Sequence, residues 1–347
     1  MSGTVPNDVI LNTYELPPGV RLDHFLTEQL GEEFSRSRIQ KLIESGAVKA
    51  DGLPLVKSSL QVKEPRIIQV QLPEEPPPAK LEPRDLKFPI LFQDNSLAVI
   101  HKPPGITVHP GIGTGDDTLV HGLLAAFKQL APGFAADRPG IVHRLDRETE
   151  GVMVIAKNAR AHAKLSAQFQ ERTVKKIYSA IVWGELRAPE KRVSGTIRRH
   201  PKERRKMFFE EFPALTEESQ MTEEDLLYMI PENARSAALR YKVIAERSSF
   251  SWLEIELETG RTHQIRATFA ALGNPVAGDS MYGDERRLAK RFNTGKRKLA
   301  ALHECKMALA AIQLGFTHPE TDKPVSFRID LPERFHKFWE GLKSKAD

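Results

Sequence analysis

Residues 141–151 read IVHRLDRETEG, and the rest of the chain can be placed around this stretch. Asp146 lies between Arg144 and Arg147, and neighbouring guanidinium groups favour the ionised form of a carboxylate. An ionised carboxylate can act as a nucleophile. Taken alone, the pattern also fits a surface loop with an ion-paired aspartate. The stretch therefore predicts a candidate catalytic carboxylate that other segments must support.

A second stretch supplies a candidate platform for a flat substrate. Residues 173–184, TVKKIYSAIVWG, have the β-branched and aromatic content of a strand. Alternation along that strand places Tyr178 on one face with Ala180 and Val182. Arg144 adds a planar, permanently charged group that can stack on a nucleobase or bind a phosphate.

A third stretch, residues 253–266, reads LEIELETGRTHQIR. Apolar and acidic side chains alternate in its first half, which is typical of a half-buried strand. Gly260 then begins a turn that carries Arg261 and His263. The stretch predicts another arginine at a strand end.

Five blocks in this order resemble the RluA-type RNA pseudouridine synthases, which isomerise chosen uridines in RNA. The matching blocks are KPPGITVHPG (102–111), HRLDRETEG (143–151), KKIYSAIVWG (175–184), TGRTHQIR (259–266) and GNPVAGDSMYG (273–283). They belong to a similarity that extends across residues 88–338, and the set is far more specific than any single block. The resemblance implies an RNA isomerase that uses neither a cofactor nor a metal.

The resemblance also implies roles for individual residues. Asp146 would be the nucleophile, attacking either the ribose or the uracil ring, and Arg261 would pair with it and fix its orientation. Tyr178 would stack against the target base and assist proton transfer. Arg144 would fill the space left when the base leaves the RNA stack. Further candidate substrate contacts in the same loop are His143 and Arg147.

The N-terminal part predicts a small separate domain. Residues 1–18 are read as a tail, and residues 19–72 as two helices with a small sheet around an Asp-Gly turn. This part resembles the RNA-binding domain named after ribosomal protein S-four. Its second helix presents candidate phosphate contacts, although a solvated basic face fits the same residues: Arg36, Arg38 and Lys41.

Prolines mark the boundary between this small domain and the core. Residues 73–87 form a predicted semi-rigid linker, because proline locks the backbone in an extended form. Residues 88–340 form the predicted catalytic domain. Its short strands alternate with helices, which predicts an α+β fold with a mixed, largely antiparallel sheet and flanking helices.

The densest basic run is TIRRHPKERRKM, residues 196–207. The family has an arginine-rich segment of this kind near RNA, so phosphate contacts are predicted for four residues: Arg198, Arg199, Arg204 and Arg205. Residues 208–234 are acidic and depart from the family pattern. They are read as an insertion, with a short helix expected over residues 223–229.

Composition bounds the remaining possibilities. The chain has 347 residues, a net charge of +5 and a pI near 9.1, which favour a polyanionic partner. RNA, rather than DNA or a membrane, is the predicted partner. Cys305 is the single cysteine, so an internal disulfide is excluded. Without a targeting segment or a long apolar run, a cytoplasmic protein is expected, with a monomer as the default.

Several other site types do not fit the sequence. The glycines near residue 111 lack both phosphate-binding fingerprints, and the histidines lack zinc-binding spacing, so His143 and His263 are interpreted as structural hydrogen-bonding groups. Two other functions remain as alternatives: a non-catalytic RNA-binding factor of ribosome assembly, and a hydrolase pairing Asp146 with Glu148 or Glu150. The predicted RNA target is large-subunit ribosomal RNA, with transfer RNA as the alternative.

Overall fold

The computed structural model describes residues 11–30, 36–71, 81–111, 117–133, 137–213, 222–228 and 230–342. The chain forms two compact units, residues 1–79 and 80–347. Each unit has its own hydrophobic core. The boundary falls within the predicted linker 73–87, of which residues 73–80 lie outside the described part of the chain.

The small unit packs two helices on one sheet. Its elements are β1 (Leu11–Leu16), α1 (Leu22–Leu30), α2 (Arg36–Glu44), β2 (Val48–Ala50), β3 (Leu53–Pro54) and β4 (Arg66–Gln71). The described strands pair antiparallel in the order β1-β4-β2-β3. Leu22, Leu26, Ile39 and Ile43 are fully or almost fully buried, because the four-residue spacing within each pair puts them on the inner helix faces.

The small unit begins earlier than its predicted start at residue 19. Strand β1 lies in the stretch read as a tail and pairs with β4 along its whole length. The short β1 segment mixes polar and apolar residues, so its sequence pattern does not distinguish a strand from an irregular tail. Its hydrogen bonds with β4 make it a strand. Lys41 is exposed on α2, whereas the side chains of Arg36 and Arg38 lie outside the described residues.

The large unit is built on one long sheet. Its strands are β5 (Ile90–Gln93), β6 (Leu97–Lys102), β7 (Glu150–Ala156), β8 (Lys175–Trp183), β9 (Glu190–Arg199), β10 (Met207–Glu211), β11 (Ala234–Arg247), β12 (Phe250–Leu257), β13 (Leu309–Thr317) and β14 (Pro324–Arg328). The described strands follow the order β10-β9-β11-β12-β8-β13-β7-β6-β5, and β14 pairs with β13. Only the β7–β13 contact among them is parallel. The predicted mixed, largely antiparallel sheet is confirmed.

Helices flank this sheet in the described residues. They are α3 (Leu119–Ala126), α4 (Ala159–Gln170), α5 (Glu223–Tyr228), α6 (Gln264–Ala271), α7 (Glu285–Arg291), α8 (Lys296–Cys305) and α9 (Glu333–Glu340). Asn158 caps α4 as the sequence predicts, since its Oδ1 accepts a hydrogen bond from the Ala161 N–H at 2.9 Å. Helix α5 lies where the short helix of the insertion is expected. No helix among the described residues is long and apolar enough to cross a bilayer.

Strand β8 contributes side chains to cores on both faces of the sheet. Ala180 and Val182 pack in one core, and Ile181 and Trp183 pack in the other. Alternation therefore places Tyr178 on the same face as Ala180 and Val182, as predicted. Tyr178 on that face lines the candidate site.

Candidate functional site

A cavity of about 450 Å³ opens on the face of the sheet that carries Tyr178. Its wall comes from the loop before β7, the end of α4, strand β8 and the turn between β12 and α6. Five of the residues predicted from the sequence line it together: Asp146, Tyr178, Arg261, Arg144 and His143. Segments far apart in the chain thus converge on one cavity.

Asp146 is held by a guanidinium group of helix α6. Arg266 Nη1 donates to Asp146 Oδ2 at 3.1 Å, and Arg266 also donates to both oxygens of Asp279, at 2.6 and 2.9 Å. Side-chain exposure is 16% for Asp146, 8% for Arg266 and 1% for Asp279. Burial alone would lower the pKa of Arg266, but the two carboxylates raise it overall. The catalytic candidate is therefore oriented by a buried three-residue network.

The predicted pairing of Arg261 with Asp146 is wrong. Arg261 Nε donates to the Ser236 carbonyl at 3.2 Å, although the side chain still lines the cavity. Helix α6 begins after Arg261 and points Arg266, rather than Arg261, at the carboxylate. The flanking arginines do not pair with Asp146 either, since Arg144 contacts His109 and Arg147 donates to the Gly105 carbonyl.

His263 lies on the other side of the Asp146 carboxylate. Its Nε2 is 3.8 Å from Asp146 Oδ1, and its Nδ1 is 3.0 Å from the Tyr282 hydroxyl. That hydroxyl also accepts the Met207 N–H at 2.6 Å, and it retains a hydrogen that it can donate to His263 Nδ1. Burial lowers the pKa of His263, with Asp146 opposing this effect. The His263 ring is therefore held beside the carboxylate by its contact with Tyr282.

Tyr178 keeps its phenolic proton at neutral pH. Burial raises the pKa of Tyr178 above its usual range, and the charge of Asp146 raises it further. The ring therefore offers a flat surface and a hydroxyl donor in the cavity that Asp146 also lines.

Arg144 is oriented by a histidine that the sequence pattern did not single out. Arg144 Nη1 is 3.1 Å from His109 Nε2. His109 Nδ1 is 3.0 Å from the Pro110 carbonyl, which must accept, so Nδ1 carries the proton and Nε2 accepts from the arginine. Burial lowers the pKa of His109, which favours this neutral form. The guanidinium group is held at the cavity wall and still exposed to solvent.

His143 is engaged within the fold. Its Nε2 accepts the Val154 N–H at 3.0 Å, and its ring stacks on Phe169 at 4.5 Å. Burial lowers the pKa of His143 to about 3, so the ring is neutral. These contacts position the loop that carries Asp146.

A buried lysine holds the same loop in place through hydrogen bonds. Lys102 Nζ donates to the carbonyls of Pro103, Arg147 and Thr149 at 2.9, 3.1 and 2.9 Å. Burial lowers the pKa of Lys102 to about 8, an effect that nearby carboxylates partly offset. The loop leads into β7 at Gly151, where the backbone requires glycine. A Cβ atom there would lie 2.2 Å from the Ala311 carbonyl oxygen at the parallel β7–β13 contact.

The basic run forms the β9–β10 hairpin. Arg198 lies over the Phe208 ring and faces Glu210, and Arg199 donates to the Arg204 carbonyl. Arg204 and Arg205 are exposed at the hairpin tip. None of these four residues lines the cavity. The hairpin is connected to it through the hydrogen bond from the Met207 N–H to the Tyr282 hydroxyl, which in turn contacts His263.

The residues missed by the sequence interpretation lie in three of the five blocks quoted above. Arg266 ends TGRTHQIR, Asp279 and Tyr282 lie in GNPVAGDSMYG, and Lys102 and His109 lie in KPPGITVHPG. A charged residue inside an apolar helix pattern, such as Arg266 beside Ile265, is the signal that could have found the central cation.

Comparisons with known proteins identify the family of this chain. Residues 96–271 match the family described as RNA pseudouridylate synthase. An uncharacterized RNA pseudouridine synthase of Aquifex aeolicus is 36% identical over 328 residues, covering 94% of this chain and 95% of the relative. The ribosomal large subunit pseudouridine synthase D of Zymomonas mobilis is 34% identical over 332 residues, covering 95% of each chain.

A solved structure shows the same relationship. The human RNA pseudouridylate synthase domain containing 4 is 25% identical, with a TM-score of 0.53, and the match covers 73% of this chain and 93% of the human chain. Sequence and fold agree, and this chain belongs to the RNA pseudouridine synthase family of RNA isomerases.

Proposed function

We propose that this enzyme isomerises a uridine of large-subunit ribosomal RNA, with Asp146 as the nucleophile. The observation that carries the proposal is the Asp146 carboxylate held by Arg266 on the wall of a cavity that also contains Tyr178. A carboxylate fixed by a buried ion pair is oriented before the substrate arrives, and orientation is a large part of catalysis.

The reaction moves one bond within a nucleotide. The bond from ribose C1′ to uracil N1 breaks, the base rotates, and C1′ becomes bonded to C5; C5 loses a proton and N1 gains one. Asp146 would attack either C1′ or the ring and be released when the new bond forms. Tyr178, which stays protonated, would hold the detached base in place and donate a hydrogen bond.

Base flipping explains why Arg144 is solvent-exposed yet oriented. A stacked uridine cannot reach a cavity in the protein, so the nucleotide must leave the helix at a cost of a few kcal/mol. A planar guanidinium group can occupy the vacated position and recover part of that cost by stacking and hydrogen bonding. The His109 contact would keep Arg144 extended for that role.

The ribosomal target is supported by the relatives. Three of the similar proteins named ribosomal large subunit pseudouridine synthase D, from Zymomonas, Neisseria and Xanthomonas, are 34–35% identical over 94–95% of this chain. The decisive experiment is pseudouridine mapping on total RNA from cells with and without this protein. Ribosomal sites lost on deletion and restored by the wild-type gene would establish the target, whereas loss at transfer RNA sites alone would overturn it.

The small N-terminal unit is proposed to bind RNA, in the manner of the domain that it resembles. Deleting residues 1–79 should leave the core folded, weaken RNA binding and flatten the dependence of affinity on salt, because phosphate contacts release counterions. Filter binding over a salt series would measure both quantities. An unchanged affinity and slope would exclude this unit as an RNA contact.

Tyr282 should matter for the rate although it does not line the cavity. Tyr282→Phe removes the hydroxyl that contacts His263 Nδ1 and accepts the Met207 N–H, so the His263 ring beside Asp146 loses the contact that orients it. Losing the hydrogen bond to His263, worth about 1 kcal/mol, predicts a roughly fivefold fall in kcat. Turnover measured across pH 6–8 would test this, and an unchanged kcat and pH profile would contradict it.

A further inference from the structure

The cavity is lined by a lysine whose ammonium group has no partner in the described structure. Lys176 lies on β8 two positions before Tyr178, so both side chains are on the same face of the sheet. The residue is only 8% exposed and lines the cavity. Among the described residues, no carboxylate lies within ion-pair distance of Lys176 Nζ and no acceptor forms a hydrogen bond with it.

The surrounding charges are also positive. Burial lowers the pKa of Lys176, and the guanidinium groups of Arg172 and Arg261 lower it further. Arg172 follows the end of α4 with a left-handed backbone, φ 62°, and lines the same cavity. At Gly260 a Cβ atom would lie 3.9 Å from Lys176 Nζ, so the turn after β12 runs directly beside the ammonium group.

This arrangement differs from that of the neighbouring cations on the same sheet. Arg192 and Arg240 both pair with Glu258, and Lys191 pairs with Glu211 at 2.6 Å. Asp146, the carboxylate of the cavity, is bound by Arg266 instead. Keeping three like charges close together around one cavity costs free energy, and an anionic ligand would recover that cost.

We propose that Lys176, Arg172 and Arg261 form an anion subsite that binds a phosphate group of the nucleotide entering the cavity. The inference rests on the proposed function, because it takes that nucleotide to be part of the RNA substrate. A phosphodiester carries a full negative charge, which would compensate the three positive charges of this cluster. A uracil carbonyl is neutral and would not. Binding the phosphate here would place the attached ribose between this subsite and Asp146.

Inorganic phosphate is the probe for the subsite. Thermal unfolding of the full-length protein would be measured in sodium phosphate and in sodium chloride at equal pH and ionic strength. Phosphate should raise the Tm of the wild type, and Lys176→Met should abolish that rise. In chloride alone, Lys176→Met should itself raise the Tm, since it removes a positive charge that Arg172 and Arg261 repel.

Two matched variants control for folding and general charge. Lys175→Met removes the adjacent exposed lysine, which does not line this cavity, and should retain the phosphate effect. Lys176→Arg keeps the charge and should also retain it. An equal phosphate effect in wild type and Lys176→Met, or no effect in wild type, would overturn the subsite.

A second comparison separates phosphate from base recognition. Uridine 3′-monophosphate should stabilise the wild type more than uridine does, and Lys176→Met should remove that difference. If Lys176→Met instead weakened both ligands equally, the lysine would contact the nucleoside and the phosphate assignment would fail. These binding measurements do not depend on turnover. If the enzyme isomerises uridine but phosphate does not bind at Lys176, the subsite is refuted and the proposed function stands.

Discussion

Asp146→Asn is expected to abolish isomerisation while preserving the fold and the affinity for RNA. The amide has almost the same volume as the carboxylate, but it is a poor nucleophile. Removing a nucleophile typically lowers kcat by roughly ten-thousand-fold or more. Arg266 keeps its two hydrogen bonds to Asp279, so its buried positive charge remains paired with a carboxylate. A single-turnover assay that follows tritium release from C5-labelled uridine would measure the loss.

The matched control is Glu148→Gln in the same loop. Glu148 is partly exposed, and its ion pair is with Arg147 at 3.5 Å. The substitution removes one negative charge near the site without touching the Asp146 network, so turnover should stay within about twofold of wild type. Residual turnover by Asp146→Asn above background, in a preparation free of wild-type enzyme, would exclude Asp146 as the nucleophile. An equal loss in Glu148→Gln would point to loop charge rather than to one carboxylate.

Arg266→Met is expected to reduce both stability and turnover. The substitution leaves Asp279, with 1% side-chain exposure, without its bidentate partner, and it releases Asp146 from its orientation. Breaking a buried ion pair on one side typically costs about 3–5 kcal/mol of unfolding free energy. Misplacing the reacting group should lower kcat by about a hundredfold in the molecules that remain folded. Urea denaturation and turnover at a temperature well below Tm would measure the two effects separately.

Arg261→Met distinguishes the two arginines of the same turn and helix. Arg261 makes one hydrogen bond to a backbone carbonyl and does not contact Asp146, so its removal should cost about 1 kcal/mol of stability. In the proposed subsite its loss should raise KM more than it lowers kcat. If Arg261→Met lost more kcat and more stability than Arg266→Met, the assignment of the orienting role to Arg266 would be refuted.

Local patterns in the sequence predicted several helices and strands of the fold. The alternation in β8 and β12 predicted strands with the correct inward faces, and Asn158 predicted the start of α4, because these features depend on near neighbours. Strand β1 was missed, since its pairing partner β4 is distant in sequence. The order of strands in the long sheet also depends on such distant pairings, including the β7–β13 contact.

The sequence by itself determined the chemistry available to this protein: an aspartate, a tyrosine and several arginines in five blocks typical of RNA pseudouridine synthases. Which arginine serves which group was decided by the tertiary structure. Helix α6 turns Arg266 toward Asp146 and Asp279, and the strand face shared with Tyr178 buries Lys176 beside two other cations. The physical reason is that charge pairing and burial depend on distances of a few ångströms between segments far apart in the chain, which local periodicity does not encode.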